Sequence, residues 1–292
     1  WVGRSGLEEQ YNCLLAGIDG EELVEVDTMG RKVRTLGKKE PIPGKDIQTS
    51  INFGLQMKVS GTLGQDKGVV IAMDPDGRVL ALYSSPSFDP NIFVGKTSSE
   101  EITRTLTNEN LPLFNRAIGG QFHPGSVFKP LVGIAALEEK KIDRNYFFND
   151  QGFIKIETLY GDFIYSNWYF TQYGGAEGNI NLVRAIARST DTFFYTLGEM
   201  VGIEKLVEWQ NKFGFGEGTG IDIPGEIGGL VPSPEWKKRV KGEDWFLGNT
   251  YHVAIGQGDL SLTPIEIERF VVALANGGKV CKAKIAGEPE CK

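Results

Sequence analysis

The chain has 292 residues, 40% of them hydrophobic and 24% charged, an ordinary globular balance with length enough for one large domain and a smaller appendage. Its formal net charge is −7 with no basic run, which argues against nucleic acid as a partner. No stretch approaches the roughly 18 apolar residues of a membrane span, and His123 and His252, the two histidines, are too far apart in sequence to show a metal-ligand spacing. Cys13, Cys281 and Cys291 are too few for a disulfide framework. Cys281 and Cys291 are near enough to pair in an oxidising compartment, and the sequence leaves that open.

Residues 1–45 are charged, interrupted by glycine and poor in apolar residues. They are expected to be the remnant of a preceding domain, with a hairpin of residues 22–26 and 31–36 around Met29-Gly30. The opening is neither a secretory signal nor a natural start, so a longer parent chain is expected. From residue 46, Ile47, Ile51, Leu55, Val59 and Leu63 recur every four residues and predict a helix over 46–63. Residues 68–73 and 78–84 read as strands around the turn Asp74-Pro-Asp-Gly77, and residues 85–91, with two prolines, as a loop. Past His123 the pattern is mostly helical: 126–137, a short 182–188 capped by Asn181, 192–201 and 204–213. A last helix is opened by the capping box Thr263-Pro-Ile-Glu266 and closed by Gly277-Gly278. A strand pair followed by many helices predicts an α/β or α+β fold.

Ser126-Val-Phe-Lys129 is an S-x-x-K sequence. A serine hydroxyl is a weak nucleophile until a base removes its proton. Residues three apart on a helix share a face, so Lys129 can meet Ser126. A helix N-terminus also offers free backbone N–H groups to a developing oxyanion. To act as the base Lys129 must be uncharged, so its pKa has to fall well below the ordinary lysine range. Partial burial among Val127, Phe128 and Leu131 is the expected cause. Given the serine and lysine content, about one S-x-x-K arises by chance, so the spacing alone identifies nothing.

The surrounding residues carry more. Asn115-Arg-Ala-Ile-Gly-Gly-Gln-Phe-His-Pro-Gly-Ser-Val-Phe-Lys-Pro130 resembles the nucleophile segment of penicillin-binding proteins, where Pro-Gly precedes the serine and Pro follows the lysine. Gly68-Val-Val-Ile-Ala-Met-Asp-Pro-Asp-Gly-Arg-Val-Leu-Ala-Leu82 with Ser85-Pro-Ser-Phe-Asp-Pro90 is similar to that family's opening hairpin. Phe213-Gly-Phe-Gly216 and Gly220-Ile-Asp-Ile-Pro-Gly-Glu226 resemble its helical linker. Ala254-Ile-Gly-Gln-Gly258, Leu262-Thr-Pro264 and Ala275-Asn-Gly-Gly278 resemble the stretch before its third motif. Residues 1–20, with Arg4-Ser-Gly-Leu-Glu-Glu-Gln-Tyr11, resemble the pedestal of class B members of the elongation type.

This resemblance implies a penicillin-binding-protein/serine β-lactamase-like transpeptidase fold of α/β (α+β) class. Part of a pedestal domain would lie at residues 1–45 and the transpeptidase domain at 46–292. The implied activity is that of a peptidoglycan D,D-transpeptidase. Ser126 attacks a stem peptide at its D-Ala-D-Ala end, and β-lactams acylate the same serine. No metal or organic cofactor is implied. The implied setting is a single membrane anchor with the domain on the periplasmic or outer side. A membrane glycosyltransferase and rod-shape proteins are the implied partners.

The family's second element, S-x-N, falls at Ser189-Thr-Asp191. By resemblance Ser189, near Lys129, relays a proton to the leaving nitrogen, and the third place faces substrate. Asp191 there cannot donate while ionised, and pairing with Lys129 would raise that lysine's pKa. The alternative is that Ser189 and Asp191 only cap the helix starting near Thr192. The third element, Lys-Thr/Ser-Gly on a strand, has no counterpart, because Lys96-Thr-Ser98 lacks the glycine and lies in the wrong place. That motif and its strands are expected beyond Lys292, leaving the sheet with only the hairpin at 68–84. His123, before Pro124, is expected to shape the turn. Asn167, Trp168, Tyr169, Tyr173 and Trp245 either line a groove or pack. A division-type transpeptidase, a D,D-carboxypeptidase or β-lactamase, and a catalytically silent scaffold or β-lactam sensor stay open.

Overall fold

Strands pair only in twos: among the described residues there are four separate two-stranded antiparallel sheets. The structure is a computed structural model describing residues 2–64, 66–95, 97–158 and 161–292, so Trp1 and Lys96 lie outside it. Strands β1 (Glu21–Val26) and β2 (Lys32–Lys39) form the expected N-terminal hairpin, with no buried side chain on either strand. It therefore has no core of its own. The N-terminal segment is instead tied to the rest by the Tyr11 hydroxyl, which donates to Asp222 Oδ2 over 2.7 Å. Asp222 also accepts the backbone N–H groups of Ile285 and Ala286.

The predicted helix over 46–63 is half right. Only Phe53–Leu63 is helical, started by the Asn52 side chain, which accepts from Leu55 N. Before it the chain is extended, because Ser50 N donates to Ile285 O and Asn52 N to Leu80 O. Those backbone groups find partners outside a helix, which a four-residue apolar step cannot reveal.

The expected hairpin is β3 (Gly68–Met73) and β4 (Val79–Ser85). Its margin gains single bridges from Arg78 to Lys284 and from Thr49 to Ala286, rather than further strands. Cys281 and Cys291 are joined in a disulfide, and Cys13 is free and exposed. A small core under the hairpin holds Val79, Ile118, Ile221, Ile265 and Ile285.

The larger core is helical and surrounds the helix Lys129–Glu138. Phe128, Leu131 and Val132 pack with Phe193, Phe194 and Leu197 of the helix Asp191–Val201, and with Tyr251 and Ala254 of the helix Leu247–Ala254. Those last two helices lie so close that a Cβ on Gly198 would sit 2.6 Å from the Ala254 Cβ. The Thr263 capping box forms as expected at the head of the helix Pro264–Ala275. The expectation that the chain past His123 is mostly helical needs correction between 147 and 181. Here β5 (Phe147–Asp150) pairs with β8 (Gly178–Asn181), and β6 (Phe153–Thr158) pairs with β7 (Gly161–Ser166). These strands are of four to six residues and mostly exposed, so they carry little apolar alternation. No helix among the described residues is long and apolar enough to cross a membrane.

Candidate active site

The predicted helix at Ser126 begins as a 3-10 turn, Gly125–Phe128, and becomes α-helical at Lys129. That turn directs its residues alternately in pairs. Ser126 and Val127 are exposed, whereas Phe128 and Lys129 are buried. Val127 therefore does not help to bury Lys129. Phe128 and Leu131 line the core there, and the Phe194 ring lies 5.5 Å from the ammonium.

The turn is clamped from outside the helix. Gly125 has φ +59°, and its N–H donates to Gly256 O over 2.9 Å. A Cβ on Gly256 would stand 2.2 Å from Gly125 O, so the two backbones touch. Close approach of this kind requires glycine. His123 contributes as expected of a turn residue: its Nδ1 lies 2.7 Å from Leu260 O.

Lys129 is 2% exposed. Its Nζ donates to Ser189 O and Ser189 Oγ, both at 2.9 Å, and to Asp191 Oδ1 at 2.6 Å. An ammonium has three donors, and all three are used. Burial pushes Lys129 below the ordinary lysine range, while the charge and hydrogen bond of Asp191 push back, and the net direction is downward.

Ser189 is the C-cap of the helix Leu182–Arg188 and takes the left-handed conformation, φ +53°. Its hydroxyl donates to Ser126 Oγ over 2.9 Å. Ser126 thus reaches Lys129 through Ser189, rather than by the direct contact expected from their spacing. Asp191 opens its helix, where a carboxylate is favoured by the N-terminal partial charge. Its Oδ2 accepts from Trp168 N at 3.2 Å. The pure capping reading of Ser189 and Asp191 fails, because Thr190 is the N-cap and no side-chain cap bond forms. All four predicted residues meet in one row: Ser126, Ser189, Lys129, Asp191.

The five groove candidates separate. Asn167 is fully buried and cannot line a groove. Trp168, Tyr169 and Tyr173 pack on one another, with the Arg188 guanidinium 5.4 Å from the first two rings. Trp245 sits apart from them, its Nε1 donating to Thr250. Sequence reasoning missed Asp150 and did not see why Gly256 matters. Asp150 opens what looks like an ordinary turn before Gly152, and no spacing links it to residues 167 or 191.

Residues 68–290 match the family described as penicillin binding protein transpeptidase domain, and residues 1–49 match the penicillin-binding protein dimerisation domain. The chain is 38% identical over 279 residues to a peptidoglycan D,D-transpeptidase MrdA of Acinetobacter baumannii, covering 95% of this chain and 40% of that protein. Among solved structures it is similar to the penicillin-binding protein PBP2 of Helicobacter pylori in complex with MreC, with a TM-score of 0.86 and 32% identity. That match covers 100% of this chain and 53% of the other. It is also similar to PBP2 of Pseudomonas aeruginosa in complex with WCK 5153, with a TM-score of 0.83 and 33% identity over 99% of this chain and 58% of the other. The chain thus spans less than half the length of the curated relative it matches, and by its matched residues and its fold it belongs to the penicillin-binding protein transpeptidase family.

Proposed function

We propose that the protein containing this chain is a peptidoglycan D,D-transpeptidase of the elongation type, with Ser126 as nucleophile, Lys129 and Ser189 as its proton relay and Asp191 as the group that holds the relay. The carrying observation is the unbroken row from the half-buried Asp191 and the buried Lys129 through the Ser189 hydroxyl to the exposed Ser126 hydroxyl. Hydroxyls rotate and can both donate and accept, so the same row runs in either direction. With Lys129 uncharged, the Ser126 proton passes to Ser189 as the Ser189 proton passes to Lys129. Ser126 Oγ then bonds to the carbonyl carbon of the penultimate D-alanine. Collapse of the tetrahedral intermediate breaks the peptide C–N bond, and the proton returns along the row to the departing D-alanine nitrogen. An amine from a second stem peptide attacks the acyl-enzyme, forms the cross-link and restores the Ser126 hydroxyl.

β-Lactams acylate Ser126 by the same route, and no cofactor takes part. The main domain begins near residue 46, and residues 1–45 belong to a pedestal domain. That division is supported by the hairpin β1–β2, which buries nothing. The complete protein sits on the extracytoplasmic side of the membrane, tethered by an anchor. It works beside a glycosyltransferase and rod-shape proteins, a reading supported by the similarity to PBP2 in complex with MreC and to a chain of a peptidoglycan synthase complex that coordinates polymerization and crosslinking. The test is labelling of the complete protein by a fluorescent penicillin. Wild type takes up the label and Ser126→Ala does not. Equal labelling of both, or of neither, contradicts the assignment.

A further inference from the structure

Asp150 ends strand β5, is 1% exposed, and is held entirely by uncharged donors among the described residues. Its Oδ1 accepts from Gly152 N at 2.9 Å and from Thr192 Oγ1 at 2.6 Å. Its Oδ2 accepts from Glu177 N at 2.8 Å and from Asn167 Nδ2 at 3.4 Å. A carboxylate has about four acceptor sites, and all are taken.

Two branches run from this carboxylate to the reactive row. In the first, Asn167 is fixed a second time by its backbone N–H, which donates to Gly152 O over 2.7 Å. Its Oδ1 accepts from Asp191 N at 3.2 Å, and the next residue, Trp168, donates its N–H to Asp191 Oδ2. Asp191 is the partner of Lys129. In the second, the Glu177 carboxylate takes the Arg188 Nε at 2.8 Å, and Arg188 O accepts from Trp168 Nε1 at 2.9 Å. Arg188 directly precedes Ser189 in the chain. One buried carboxylate therefore bears on both residues that contact Lys129 from the far side.

Neither Asp150 nor Asn167 can touch a substrate, being 1% and 0% exposed. We infer that Asp150 and Asn167 are positioning residues, whose hydrogen bonds set where Asp191 and Ser189 stand against Lys129 and thereby the rate at which Ser126 is acylated. This rests on the transpeptidase reading above. A misplacement of about 1 Å in a reacting array lowers rates on the order of 100-fold, so small errors in this bracket are visible kinetically.

Asp150→Asn keeps the shape but turns one acceptor into a donor that faces other donors. Asn167→Ala removes the acceptor for Asp191 N. Ile265→Ala, in the separate core under the β3–β4 hairpin, supplies a variant destabilised without touching the network. Acylation of the complete protein by fluorescent penicillin is timed across pH, with Tm measured for each variant. Asp150→Asn and Asn167→Ala are expected to slow acylation at least tenfold, and Ile265→Ala less than twofold. Their rising pH limb should also move to lower pH, because a displaced Asp191 raises Lys129 less. Among the described residues Tyr195 also faces Asp191, and burial holds it above the ordinary phenol range and so uncharged. Ser189 and the Phe194 ring carry no charge. Slowing no greater than in Ile265→Ala, or an unmoved limb, overturns the inference alone. A wild type that never labels overturns both it and the function it rests on.

Discussion

Lys129 Nζ and Asp191 Oδ1 stand 2.6 Å apart at the buried end of a row whose other end is the exposed hydroxyl of Ser126. The two influences on Lys129 oppose one another. Burial favours the uncharged amine that a base must be, and Asp191 favours the ammonium, which is the form able to give a proton back. A residue used first as base and then as acid needs to be near that balance.

Asp191→Asn removes the influence that raises Lys129 and leaves burial in place, so the rising limb of acylation against pH is expected to move to lower pH. The stability consequence has a definite sign. Lys129 has a lower pKa folded than its reference of 10.5, so the unfolded chain binds the extra proton and stability increases with pH across that interval. Asp191→Asn extends the interval downward. Where Lys129 is charged, loss of its half-buried partner costs about 3 kcal/mol, the low end for a buried pair. Acylation rates and Tm across pH measure both; a limb moving upward contradicts the balance described.

Ser189 combines the hydroxyl that donates to Ser126 with a left-handed backbone. Ser189→Ala and Ser189→Gly both lose the relay, and acylation should fall roughly 100-fold or more in each. They should differ in stability, because glycine accepts φ +53° without the side-chain penalty. Ser189→Gly is expected to be the more stable of the two by about 1 kcal/mol. Denaturant midpoints decide it, and equal midpoints would mean the backbone here is not strained.

Gly256→Ala places a methyl group 2.2 Å from Gly125 O, against backbone that cannot step aside cheaply. Overpacking of this kind costs about 1–3 kcal/mol, with more expected where two main chains touch. The turn bearing Ser126 should shift, lowering Tm and acylation together. Wild-type acylation in this variant would show that the clamp does not set the turn.

How much of this was legible in advance varies by physical cause. That Ser126, Lys129, Ser189 and Asp191 come together was legible because their neighbours follow a family pattern, and the caps Asn181 and Thr263 because capping is local chemistry. The route through Ser189 was not, since three-residue spacing shows that two side chains share a face but not what lies between them. Strands β5 to β8 were missed because they are short and largely exposed, and the bracket at Asp150 because hydrogen bonds between residues 150, 167, 177 and 192 leave no periodic trace. Ile47 and Ile51 keep the helical step, but the backbone around them, at Thr49, Ser50 and Asn52, pairs with Ala286, Ile285 and Leu80 instead.

Thr190, between the two reactive-row residues, is fully buried, and its Oγ1 has no hydrogen-bond partner among the described residues. An unsatisfied buried hydroxyl costs about 1–3 kcal/mol. Thr190→Val keeps the shape and removes that cost, so Tm is expected to stay level or rise with acylation unchanged within about twofold. A clear fall in Tm would show that the hydroxyl is bonded after all.

Whether Ser126 forms the acyl-enzyme is decided by peptide mapping by mass spectrometry of the complete protein, quenched during reaction with a D-Ala-D-Ala stem peptide. The acyl mass should appear on the peptide containing Ser126, and be absent from Lys129→Ala quenched at the same time. An adduct on a different residue, or steady turnover with Ser126 never modified, would contradict it.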